Sequence, residues 1–348
     1  MKVLVTGAAG FIGSNLIHLL SKERSNWRLF ALDLLTYAGN LENLEPLISQ
    51  DKISFIRGDV CDRDLMNALF GEHRFDLIFH LAAESHVDRS ILNSEAFVKT
   101  NVLGTQVLLD ALRGFSKNAR FIHVSTDEVY GSLGATGRFL ETTPLDPSSP
   151  YSASKAASDL LVLAAHKTYK LNVIVTRCTN NYGPYQFPEK IIPLFVTNAM
   201  GDQSLPVYGD GLQVRSWLWV EDHCLALLKI AENGLAGEIY NIGCESEGEL
   251  PNLELTKMIL KLLGKPESLI QHVADRPAHD RRYAVDTSKI REQLGWRPKI
   301  SIHEGLIKTV DWYRANVAWW QRIKSGAYLE YYKKNYADRD SLGEQIIN

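Results

Sequence analysis

Apolar positions in the first half of the chain fall in short β-branched or aliphatic runs, at residues 3–5, 28–32, 53–57, 77–81, 121–124 and 173–177. Other stretches space their apolar residues as a helix does, over 11–22, 65–70, 95–112 and 151–169. Strands alternating with helices in this way predict a parallel sheet with crossover helices, a doubly wound α/β fold.

Past residue 180 the pattern loosens. Proline, glycine and aromatic residues become frequent, as in Tyr182-Gly183-Pro184-Tyr185 and Arg276-Pro277-Ala278-His279. Loops between shorter elements are expected there, forming a smaller, interleaved C-terminal lobe over 180–348 beside a first domain over 1–179. A helix over 220–231 and a strand-like run over 238–242 predict that about 215–243 rejoins the first sheet. The charged, aromatic stretch 328–348 is expected to be a terminal helix with a frayed tail.

Composition narrows the function more than the fold. With 45% hydrophobic and 23% charged residues, the 348-residue chain sits at the averages of soluble globular proteins. Its formal net charge of −3 lacks the basic footprint of a nucleic-acid partner. No apolar run approaches the roughly 18 residues of a membrane span. Gly7, Gly10, Gly13 and Asn15 interrupt any signal-peptide core near the first methionine. Cys61, Cys178, Cys224 and Cys244 match neither paired metal-ligand spacing nor the disulfide framework of a small secreted domain. A reduced, cytoplasmic compartment and no metal site are therefore expected.

The first strand runs into Gly7-Ala8-Ala9-Gly10-Phe11-Ile12-Gly13, where glycines permit a tight turn and bring backbone amides close to a pyrophosphate at a helix start. Asp33 ends the second strand about twenty residues beyond Gly13, the spacing of a carboxylate that accepts from a ribose 2′-hydroxyl. An acid there favours NAD over NADP, and the combination predicts a Rossmann-type NAD domain. Asp59 follows the third strand where it can face adenine, and Leu81-Ala82-Ala83 sets small residues where a cofactor must pass.

Tyr151 and Lys155, at i and i+4, share one face of a helix. A phenol with an ordinary pKa of about 10 is a poor base at neutral pH, but a neighbouring ammonium and a nicotinamide cation both favour its phenolate. At the carboxyl end of the fifth strand stand Thr126, Asp127 and Glu128. Thr126 suits a helix cap, with the acids complementing the dipole. Two adjacent carboxylates in a partly dry pocket also repel, which raises the pKa of one and leaves an acid beside a base.

Together these motifs resemble the extended short-chain dehydrogenase/reductase family, and within it the NAD-dependent 4,6-dehydratases of dTDP-glucose. The resemblance continues through 33–40 (DLLTYAGN), 81–90 (LAAESHVDRS), 180–193 (NNYGPYQFPEKIIP), 215–223 (RSWLWVEDH) and 276–283 (RPAHDRRY), so it covers nearly the whole chain. Sugar 4-epimerases of the family keep the glycines and the Tyr/Lys pair without the Asp-Glu pair.

The resemblance implies that Tyr151 takes the proton of the glucose 4-hydroxyl as hydride leaves C4 for NAD, with Lys155 and Thr126 in support. Glu128 then removes the C5 proton, Asp127 protonates the departing C6 hydroxyl, and hydride returns to C6. Leu34, Leu35, Thr36, Val60, Thr100 and Asn181 would complete the NAD site. Ser85, Asn180, Lys190 and Ile191 would approach the sugar or its phosphate, while Pro206 and Tyr208 line thymine. Arg215, Asn252, Arg276 and His279 would hold the pyrophosphate, arginine being suited to two oxygens at once. Two positions depart from the family pattern: Ala278, where glycine is usual, and Leu34, where lysine is frequent. A homodimer is implied, with 95–112 and 151–169 as its contact, and a role in deoxysugar synthesis such as that of rhamnose.

Overall fold

The computed structural model describes residues 1–325 apart from 245, 276 and 278. The tail over 328–348 lies outside the described residues, as do Arg276 and Ala278. Seven strands form one parallel sheet: β1 (Lys2–Thr6), β2 (Arg28–Asp33), β3 (Ile53–Arg57), β4 (Leu77–His80), β5 (Arg120–Thr126), β6 (Asn172–Cys178) and, from far along the chain, Ile239–Ile242. The order across the sheet is 3-2-1-4-5-6, with Ile239–Ile242 paired outside β6. The chain therefore steps one way from β1 to β3 and then the other way from β4. Its switch point lies between β1 and β4, where doubly wound sheets open a cleft at their carboxyl ends.

The strand pleat sends alternate side chains to two separate cores. Val3, Val5, Ile122 and Ile174 meet helices Phe11–Glu23 and Val220–Asn233 on one face. Leu4, Phe30, Phe121 and Val175 meet Arg63–His73, Gly104–Phe115 and Pro150–Tyr169 on the other. A sheet covered on both faces needs apolar residues at successive positions, which is why its strands read as continuous runs.

The smaller lobe begins with β7 (Asn180–Tyr182), followed by β8 (Leu205–Tyr208) and β9 (Val214–Trp219). After β10 (Ile239–Ile242), already placed in the large sheet, come β11 (Glu249–Pro251) and β12 (Ile270–Val273). β11, β9 and β7 form one small sheet and β12 pairs with β8. Phe195, Trp217, Trp219, Leu255, Tyr313 and Trp319 fill the core of this lobe.

One expected helix is not a single α-helix. Residues 95–112 comprise an α-turn at Glu95–Phe97, a π-helical stretch at Val98–Leu103 and an α-helix at Gly104–Phe115. The wider turn aims Asn101 inward. Its side chain accepts from the Glu84 amide at 2.9 Å and donates to the Glu84 carbonyl at 3.0 Å and to Ser154 Oγ at 2.8 Å. A single inward residue that ties the end of β4 to the Tyr151 helix accounts for the interruption. Asn252, suited by sequence to cap a helix, is instead the first residue of helix Asn252–Leu263, with Pro251 at the cap.

His223 is fully buried in helix Val220–Asn233, and neither ring nitrogen has a hydrogen-bond partner among the described residues. Burial alone pushes its pKa down to about 3. The unfolded chain therefore takes up the proton first, so the stability carried by neutral His223 is complete above about pH 6.5 and declines as the pH falls toward 3. Replacing it with leucine is expected to remove this slope. Urea titrations should show the variant gaining on the wild type by up to about 1.4 kcal/mol per pH unit between pH 6 and 4. A difference that does not change with pH would show that His223 is not held neutral.

Candidate active site

At the switch point the backbone itself makes room. A Cβ on Gly7, whose φ is +67°, would lie 2.7 Å from the Ala82 nitrogen, and one on Gly13 would lie 2.0 Å from the Gly7 carbonyl. Only glycine allows the turn to press against the end of β4 and the first helix to start beneath it. Above the turn is a cavity of about 340 Å³. Asp33 is buried beside it, with Oδ2 accepting from the Ala9 amide at 2.9 Å and Oδ1 from the Leu35 amide at 2.8 Å. Burial raises its pKa, and the two amides oppose that rise. The carboxylate fixes the glycine turn and keeps acceptor capacity for a ribose.

The cavity wall contains nearly the whole cofactor set expected from sequence. Gly7, Gly10, Phe11, Ile12 and Gly13 form its floor; Asp33, Leu34, Thr36, Asp59 and Val60 form one side. Leu81, Ala82, Ala83, Ser85, Thr100 and Asn181 form the other, with Tyr151 and Lys155 at the far end. Leu35 is the exception. Its backbone is left-handed (φ 59°) and its side chain packs on the apolar core under β1 and β2, so only its amide serves the site, by holding Asp33.

Thr126, Asp127 and Glu128 end β5 on the same cavity. The Thr126 hydroxyl accepts from the Glu128 amide at 3.3 Å, so this residue does cap the 3₁₀ turn Asp127–Tyr130. It also donates to Asp127 Oδ1 at 3.3 Å. Asp127 is buried, and Oδ2 has no partner among the described residues. Burial and then the Glu128 charge push its pKa up to about 8, against the pull of Arg215. At neutral pH this carboxyl is an acid with a proton to give.

Ser149 and Ser152 close a capping box at the start of helix Pro150–Tyr169, with Pro150 at its first position. The box fixes the first turn so that Tyr151 and Lys155, both buried, face the cavity together. Lys155 Nζ donates to the Val124 carbonyl at 2.8 Å. Burial lowers the lysine to about pKa 8, with Asp159 opposing. Burial also raises the Tyr151 pKa well above its ordinary value, chiefly aided by Glu128 and opposed by a hydrogen bond with Thr126. In the chain alone Tyr151 is a neutral phenol, so a phenolate requires further positive charge.

A second cavity of about 150 Å³ adjoins the first through Glu128, Asn180, Lys190 and Ile191. Its walls add Pro206, Tyr208, Arg215, Asn252 and His279. Arg215 is buried, its guanidinium donating to the Val214 and Asp280 carbonyls and lying 4.4 Å from the Tyr283 ring centre. Tyr208 donates to Asp88 Oδ2 at 2.9 Å, and His279 pairs with Asp275 at 2.5 Å. Asn180 Oδ1 and Asn252 Oδ1 are buried without partners among the described residues. Such orphaned acceptors aimed into a cavity are what a ligand with donors would satisfy.

Several wall residues carry no signal that single-sequence reasoning can isolate. Glu189 is buried and paired with Arg89 at 3.1 Å, and Arg89 lies 3.8 Å above the Tyr37 ring centre. Asp88, Trp217 and Tyr283 also line the second cavity. All of them sit in segments whose likeness was visible, but lone acids and aromatics have no spacing to mark them.

The chain matches the family model described as GDP-mannose 4,6 dehydratase over residues 4–309. It is 51% identical over 329 residues to the dTDP-glucose 4,6-dehydratase of Streptomyces niveus, covering 93% of this chain and 96% of that one. A relative of the same name in Escherichia coli is 48% identical over 364 residues, covering 97% and 100%. The dTDP-glucose 4,6-dehydratase of Streptomyces venezuelae, solved with NAD and TYD bound, superposes with a TM-score of 0.89 at 49% identity and coverage of 93% and 100%. The Thermotoga maritima UDP-glucose 4-epimerase is more distant, at 31% identity, a TM-score of 0.84 and coverage of 91% and 100%. A family match that runs from Leu4 to Thr309, with identities of 51%, 48% and 49% to relatives of one name, places this chain in the GDP-mannose 4,6 dehydratase family, among the dTDP-glucose 4,6-dehydratases.

Proposed function

We propose that the protein is an NAD-dependent hydro-lyase that converts dTDP-glucose to its 4-keto-6-deoxy product and water. The observation that carries this reading is the buried Asp127, whose Oδ2 has no partner among the described residues, directly beside Glu128, which borders both cavities. Epimerisation needs only a proton acceptor at the 4-hydroxyl; loss of water needs an acid and a base on neighbouring carbons.

The glycine turn and Asp33 would hold NAD, which when bound supplies a hydride acceptor for C4 and a donor for C6, so that the net redox change is zero. Tyr151, with Lys155 behind it and Thr126 beside it, accepts the proton of the 4-hydroxyl. The resulting ketone acidifies C5, and Glu128 removes its proton. Asp127 gives its proton to the C6 hydroxyl, which leaves as water, and the proton on Glu128 returns to C5 as C6 is reduced. Arg215, Asn252 and His279 would meet the diphosphate, and Pro206 and Tyr208 the thymine.

The same reading makes the protein a homodimer. Val98, Leu103 and Leu160 are 55%, 46% and 58% exposed on two neighbouring helical segments, a cost that a second copy would remove. Four free thiols suit a reducing cytoplasm, where the product would feed a deoxysugar such as rhamnose.

NAD is expected to copurify, and Asp33→Ala to weaken it in equilibrium dialysis. Equal retention of NADP by the wild type would sink the ribose-reading role. Glu128→Gln should retain transient oxidation at C4 yet lose solvent deuterium incorporation at C5, and Asp127→Asn should stop departure of the C6 hydroxyl. Each should cost about 10²- to 10⁴-fold in turnover. Because Asp127 acts in its protonated form, the elimination rate should decline as the pH rises through about 8. Wild-type turnover by both variants would reduce the pair to a helix-start feature. Light scattering should give a dimer mass for the wild type and a monomer for Leu160→Glu; two dimers would move the interface elsewhere.

A further inference from the structure

Behind the cleft, between β5, β6 and the helix Pro150–Tyr169, lies a buried polar network that the proposed reaction does not use. Asp159 is one turn beyond Lys155 on the same helix and has no exposed surface. Its Oδ2 accepts from Arg177 Nε at 2.9 Å, and its Oδ1 lies 3.4 Å from His123 Nε2. Arg177, 2% exposed, stacks 4.7 Å from the centre of the Tyr130 ring, and the Tyr130 hydroxyl donates to Asn241 on β10. His123 approaches Ser158 Oγ at 3.2 Å, and the Ser158 hydroxyl donates to the Lys155 carbonyl at 2.8 Å. An ion pair this deep carries a desolvation cost that well-packed apolar residues would avoid, so its presence is weak evidence for stability.

We propose that Asp159 is a positioning residue for the proton transfer at Tyr151: its carboxylate, held in place by Arg177 and His123, keeps Lys155 in its ammonium form against burial. This inference rests on the proton-accepting role of Tyr151 given above. The i, i+4 spacing puts lysine and carboxylate on one helix face, in a region with little water to screen them. The other groups around Lys155 do not substitute for it. His80 on β4 and His123 on β5 are buried, and burial, their largest influence, holds both in the neutral form, as does Lys155 itself. Arg177 on β6 is a cation, and burial keeps the thiol of Cys178 on the same strand protonated, with a pKa up to about 12. Tyr151 is a neutral phenol in the chain alone, and Asp127, protonated at neutral pH, carries no charge there. Glu128 borders both cavities and, among the groups acting on Lys155, Asp159 is the principal one that opposes burial.

The consequence is directional. Without the carboxylate, the lysine loses its proton at lower pH and supports the Tyr151 phenolate less well. The acid limb of the first oxidation then moves up in pH and the alkaline limb moves down. Asp159→Asn should therefore show limbs drawn together by about one pH unit in total and a roughly tenfold lower single-turnover rate of C4 oxidation at neutral pH, with KM for dTDP-glucose within about twofold. Because this change strands the Arg177 guanidinium, the double variant Asp159→Asn/Arg177→Gln restores a neutral, hydrogen-bonded pair. It should recover most of the wild-type Tm and yet retain the narrowed profile. Recovery of both Tm and profile would make Asp159 a structural residue and overturn the inference, as would a wild-type profile in Asp159→Asn itself. The same shift is read without substrate from ultraviolet tyrosinate absorbance of the NAD-loaded protein, as the difference from Tyr151→Phe. If the wild type fails to turn over dTDP-glucose, the reading of the reaction fails. The tyrosinate shift between wild type and Asp159→Asn then still decides the positioning role, and its absence overturns it.

Discussion

The architecture of this protein depends on how closely two strand exits approach at the switch point. Gly7 turns against the backbone of Leu81 and Ala82 with no room for a Cβ, and Gly13, in the first turn of the first helix, packs directly against the Gly7 carbonyl. That approach sets the origin of the cleft, the direction of the first helix and the depth at which Asp33 is enclosed. The strands on either side then diverge with the twist of the sheet, so the space between their carboxyl ends widens into a cavity without any side chain having to withdraw.

The chemistry follows from enclosing titratable groups by different amounts. Asp127 and Glu128 are neighbours in sequence and repel each other, yet Asp127 is buried under the lobe while Glu128 borders both cavities. Desolvation therefore falls mainly on Asp127, which is left protonated. One tripeptide at the end of one strand thus holds an acid and a base, and the lobe that covers it provides the asymmetry.

Much of this was legible in the sequence because it rests on local rules. The doubly wound sheet follows from apolar runs alternating with helical stretches, and the glycine turn with Asp33 follows from spacing alone. The Tyr151–Lys155 face follows from helical periodicity. What was not legible depends on contacts between distant residues. The π-helical turn at Val98–Leu103 is set by the bonds of Asn101 to Glu84 and Ser154, which no local preference announces. The left-handed backbone of Leu35, which turns its side chain from the cavity onto the core, goes with the bond of its amide to Asp33. Glu189 and Tyr283 enter the site only because the lobe folds over the sheet.

The strand at Ile239–Ile242, laid outside β6 after a long excursion through the smaller lobe, has a consequence for how the protein is made. Until residue 242 has left the ribosome, β6 is an open edge, with its hydrogen-bonding groups available to any passing chain. The sheet that looks like an N-terminal unit cannot close during synthesis of its own first 180 residues, and its completion is tied to a contact of long sequence separation. Completion of the sheet is thereby delayed until residue 242 has emerged, and the maturation of the two lobes is coupled, since the segment that seals one follows on from the other.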